Sequence, residues 1–112
     1  MANKQRKEVA ITLDGVELVC RPTLAKIGEI EGRFGPAMEV LRKIGSGNVA
    51  IVDLTALVQI IVRGVPGAPA GKDVQEMVFQ AGAFSLAPQV SEFLANAITS
   101  DEPAAADAQA GN

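Results

Sequence analysis

The stretch EVAITLDGVELVCR, residues 8–21, decides how this chain is read. Val9, Ile11 and Leu13 alternate with Ala10 and Thr12. After Asp14-Gly15, Val16, Leu18 and Cys20 alternate with Glu17 and Val19. Asp-Gly between two alternating runs is a strong hairpin signal, because a type I′ turn needs positive φ at both central residues. A two-residue turn also fixes the register. Leu13 then faces Val16, Ile11 faces Leu18, and Val9 faces Cys20, giving six residues on one apolar face. Glu8 falls opposite Arg21 as a cross-strand charge pair. An isolated hairpin is marginal in water, so the rest of the chain has to cover that face.

The following segments carry helical periodicity. Pro22 ends the strand and Thr23 is placed to cap a first helix, with Leu24, Ile27, Ile30 and Phe34 inward. Glu29 and Arg33 are spaced for an i, i+4 pair on its outer face. Gly28 and Gly32 within it suggest close packing against the hairpin. Gly35 suits the C-cap and Pro36 the start of a second helix, with Met38, Leu41 and Ile44 inward. The stretch GSGN, 45–48, ends that helix. A third helix runs through IVDLTALVQIIVRG, 51–64, where Thr55, Gln59 and Arg63 form one narrow polar strip. A helix otherwise apolar nearly all round is either a central core helix or one that buries surface against another chain. The second alternative makes Leu57, Ile60 and Ile61, with Met77, the candidate partner or oligomer surface. Two more helices follow. One has Asp73 as N-cap and Val74, Met77, Val78 and Ala81 inward. The other has Ser85 as cap and Val90, Phe93, Leu94, Ala97 and Ile98 inward.

The predicted fold is therefore α+β, an N-terminal β-hairpin followed by a small bundle of four or five helices, with no βαβ alternation. Residues 8–99 form the single domain. Residues 1–7 read as a disordered basic arm and 100–112 as a disordered, acidic, Ala-rich tail.

Composition narrows the function. The chain has 112 residues, 48% of them apolar but only 4% aromatic, so its core is aliphatic. Its net charge of −3 gives no basic surface for nucleic acid beyond Lys4, Arg6 and Lys7. There is no His, which removes the commonest general base and metal ligand. The lone Cys20 reads as a small buried hydrophobe. Glu29, Glu31, Glu39, Glu76 and Glu92 read as solvated carboxylates. No signal peptide or membrane-spanning run is apparent, so a cytoplasmic protein is expected.

One stretch suggests a phosphate-binding loop. In RGVPGAPAGKD, 63–73, Gly67, Gly71 and Lys72 give G-x-x-x-G-K. That is one residue short of a P-loop, Asp73 replaces the required hydroxyl, a helix precedes it, and Pro66 and Pro69 remove N–H donors. It reads as a helix-to-helix connector. No enzyme activity, cofactor, metal or small-molecule substrate is expected.

With the chemistry exhausted, a resemblance remains. The LDG turn (Leu13-Asp14-Gly15), the entry Pro22-Thr23-Leu24, the segment Gly28 to Gly35 and the helix VDLTALVQIIVRG, 52–64, resemble a family of small tail proteins of phages and gene transfer agents. The resemblance covers residues 8–99. That family is described both as a gene-transfer-agent tail protein and as a tail assembly chaperone. The second description implies a non-catalytic cytoplasmic factor that coats the tape measure protein and meets the tail tube protein during assembly; self-association is expected as well. The competing expectation is a structural tail component, a tube or completion subunit retained in the particle.

Overall fold

The computed structural model describes residues 7–99, so the expectations for 1–6 and 100–112 lie outside the described residues. Strands β1 (Val9–Leu13) and β2 (Val16–Cys20) form an antiparallel hairpin in the expected register, Val9 with Cys20, Ile11 with Leu18, Leu13 with Val16. Asp14 and Gly15 have φ of 51° and 78°, which makes the connection type I′. Five of the six predicted inward residues are buried. Val16 is the exception, 48% exposed beside the turn.

Five helices follow: α1 (Leu24–Phe34), α2 (Ala37–Gly45), α3 (Ile51–Val62), α4 (Gly71–Ala81) and α5 (Ala87–Ile98), with a 3-10 turn, Ala83–Leu86, before the last. The fold is α+β, hairpin first and bundle second. Thr23 caps α1, its hydroxyl accepting from the Lys26 N–H at 3.2 Å. Gly35 closes α1 with φ of 99°. Pro36 precedes α2 and has no side chain to cap it. Glu31 reaches across instead, and its carboxylate accepts from the Ala37 N–H at 2.9 Å. This carboxylate is a structural cap rather than merely a solvated group.

The periodicity reading is corrected at several positions. Leu24 and Met38 are exposed, and α2 buries Ala37, Val40 and Ile44. Ala81 and Ile98 are exposed too. Gly28 and Gly32 look onto open space, with nothing within 4 Å of where a Cβ would stand, so they permit no close approach. α4 starts at Gly71, placing Asp73 in its first turn rather than at the cap. Ser85 caps no N–H; its hydroxyl donates back to the Gly82 carbonyl at 2.6 Å.

α3 is the centre of the molecule. It packs against α1, α4, α5, β2 and the 3-10 turn. Leu54, Leu57, Val58, Ile60, Ile61 and Val62 on it are all within the core, joined by Val9, Ile11, Leu18, Ile30, Val78, Val90 and Phe93. α3 is buried nearly all round because α1, α4, α5, β2 and the 3-10 turn surround it within the one chain.

A candidate partner-binding groove

Three of the four candidate surface residues are core. Leu57, Ile60 and Ile61 are at most 1% exposed, so in this conformation they have no surface to offer a partner. Met77 is half-buried and lines a crevice with Asp14, Gln80 and Ala81. The structure therefore does not bring the four together as one surface.

The apolar surface that α3 does expose is its first turn. Ile51 and Val52 project beyond the surrounding elements, with Val52 70% exposed. Across from them on α4, Phe79 is 60% exposed. Between the two helices runs a groove of about 500 Å³, lined by Ile51, Val52, Thr55, Gln75, Glu76 and Phe79. Sequence reading missed it because an apolar helix end and a core helix share one pattern. The available signal was Phe79, a large aromatic outside the Val74/Val78 stripe.

The polar groups along this groove already have partners. Thr55 donates to the Val52 carbonyl at 2.7 Å, within its own helix. Gln75 Nε2 donates to Gln59 Oε1, bridging α4 to α3. Glu76 accepts from Gln80 Nε2 at 3.0 Å. What remains for a ligand is mostly apolar area, with the exposed Glu76 carboxylate among its lining. Covering the exposed parts of Val52 and Phe79 is worth about 1–2 kcal/mol each.

The polar strip of α3 fastens helices together. Gln59 holds α4, and Arg63 pairs with Glu29 of α1, taking the partner expected for Arg33. Lys26, also on α1, donates from Nζ to the Ile61 carbonyl at 2.6 Å, placing a cation at the C-terminus of α3. Burial lowers the Lys26 pKa below its ordinary value, and nearby Arg63 lowers it further against the opposing effects of Cys20 and Glu29. Cys20 is fully buried, and desolvation pushes its thiol up to about 11, with Lys26 working in the other direction. A thiol held protonated fits a packing role.

The connector between α3 and α4 turns tightly, with Gly64 and Gly67 at φ of 81° and 90°. Val65 and Ala68 pack on the core, and the loop passes close to Val16 and Leu18 of β2. Among the described residues no group of three or more His, Cys, Asp or Glu is placed to hold a metal ion. No helix among them is long and apolar enough to cross a membrane.

No curated protein and no solved structure shows significant similarity to the chain. A sequence model of the family described as phage tail tube protein, GTA-gp10, matches residues 6–100 of the 112. With the match covering the hairpin and all five helices, the chain belongs to the phage tail tube protein, GTA-gp10, family.

Proposed function

We propose that this protein is a non-catalytic tail assembly chaperone that binds the tape measure protein through the α3–α4 groove. The observation that carries this reading is the groove itself. Its exposed Val52 and Phe79 flank a cleft whose polar groups are already partnered, which suits the apolar face of a partner helix. The membership in a phage tail family supports the process. The choice of partner rests on the resemblance of the hairpin and α3 to small phage and gene-transfer-agent tail proteins, one description of which is a tail assembly chaperone.

A second reading has its own support. The family description names a tail tube protein, which favours a structural subunit retained in the particle. Against it stands the small amount of strand, two segments of five residues each among the described residues. Mass spectrometry of purified particles, beside a pull-down from assembling cells, separates the two. A chaperone co-purifies with the tape measure protein and is absent from the particle. Presence in the particle at many copies establishes the structural reading instead.

A further inference from the structure

The hairpin has an edge that the fold leaves unmanaged. With a two-residue type I′ turn, the pairs Leu13–Val16, Ile11–Leu18 and Val9–Cys20 exchange main-chain hydrogen bonds. The N–H and C=O groups of Ala10 and Thr12 therefore point away from β2, along the outer edge of β1. Neither residue has a hydrogen-bond partner for these groups among the described residues. Thr12 is exposed and Ala10 half-buried. Natural edge strands are usually blunted by charge, Pro or a bulge. β1, with the sequence VAITL, has none of these, and its ladder with β2 is unbroken. On the β2 side, the α3–α4 connector passes beside Val16 and Leu18.

We infer that β1 pairs antiparallel with β1 of a second copy of this chain, joining two hairpins into one four-stranded sheet. The edge is self-complementary. With a two-fold axis through Ile11, Ala10 of each copy faces Thr12 of the other. The two pairs then exchange four main-chain hydrogen bonds and use every free group on the edge. The strand is uncharged, so two copies meet without repulsion along its length. Val9, Ile11 and Leu13 keep facing their own core, and the two buried faces become one continuous side of the new sheet. The register brings Glu8 near Asp14 of the second copy at each end, a modest cost that salt screens. This inference stands on the hairpin alone and does not depend on the groove or on the tape measure protein.

The test is sedimentation velocity of the full chain over a concentration series, beside Thr12→Pro, with circular dichroism to confirm the fold. Pro removes an N–H that the hairpin does not use, and with it two of the four intermolecular bonds. Self-association is expected for the wild type and should weaken at least about tenfold in the variant. Should Thr12→Pro lose its fold, chains carrying Ala10→Cys are mixed with chains carrying Thr12→Cys and oxidised. The register predicts that the mixture crosslinks far faster than either variant alone, while the buried Cys20 does not compete. A wild type that stays monomeric at its highest soluble concentration overturns the inference. So does a dimer that survives Thr12→Pro, or one that gives no preferential mixed crosslink.

Discussion

Truncating Ile61 and truncating Val52 should have very unequal consequences, although both belong to α3 and both read as apolar in the sequence. Ile61 is fully buried in the cluster that includes Ile30, Leu57 and Phe93. Ile61→Ala removes its γ and δ carbons and leaves a cavity that close-packed neighbours fill only in part. The expected cost is about 2–5 kcal/mol. A domain of this size has about 5–15 kcal/mol in total. Each kcal/mol moves the melting temperature by about 4–8 °C, so a fall of at least about 8 °C is expected. Val52 is 70% exposed, so Val52→Ser should change stability by no more than about 0.5 kcal/mol. Urea unfolding followed by circular dichroism, with m-values compared, measures both. Equal, small effects at the two positions would refute the placement of α3 at the centre of the core. They would return Ile60 and Ile61 to the list of surface candidates.

Three further outcomes follow from particular contacts. Gly28→Ala and Gly32→Ala should each stabilise by about 0.5–1 kcal/mol in thermal or urea melts, because both sit inside α1 facing open space; destabilisation by either would mean that a neighbour occupies that face. Glu29→Ala and Arg63→Ala should each cost less than about 1 kcal/mol in the same melts, since the pair is largely solvent-exposed. Above pH 9, stability should fall relative to that of Cys20→Ala. The folded thiol, pushed up to about 11, then retains a proton that the unfolded chain, at about 9.0, has released. Lys26, with its lowered pKa, acts in the opposite sense just below its ordinary value, which is why the comparison is made against Cys20→Ala. Parallel pH profiles for the two proteins would contradict the burial of the thiol.

The hairpin was legible in the sequence because its turn admits one conformation and its register leaves no freedom. Helix phase was less legible. In α2, Met38/Leu41/Ile44 and Ala37/Val40/Ile44 are both helical stripes, and the larger residues drew the assignment although the smaller ones are buried. Leu24 opens α1 beside the cap, before the helix settles on the core, so its apolar side chain is left outside. The carboxylates of Glu29 and Glu31 act through residues on other helices, Arg63 and Ala37, which no local pattern reveals. The groove was hidden for a related reason. Val52 and Leu57 look alike in sequence, and only the arrangement of α1, α4 and α5 around α3 distinguishes the uncovered end from the covered middle.

The most direct test of the central claim is co-expression of this protein with the tape measure protein, comparing the wild type with a folded Val52→Asp/Phe79→Asp variant. The groove account predicts that the wild type keeps its partner soluble and co-purifies with it, and that the variant does neither while retaining its own circular dichroism spectrum. A variant that solubilises the partner as well as the wild type would contradict the account and move the binding surface away from α3 and α4.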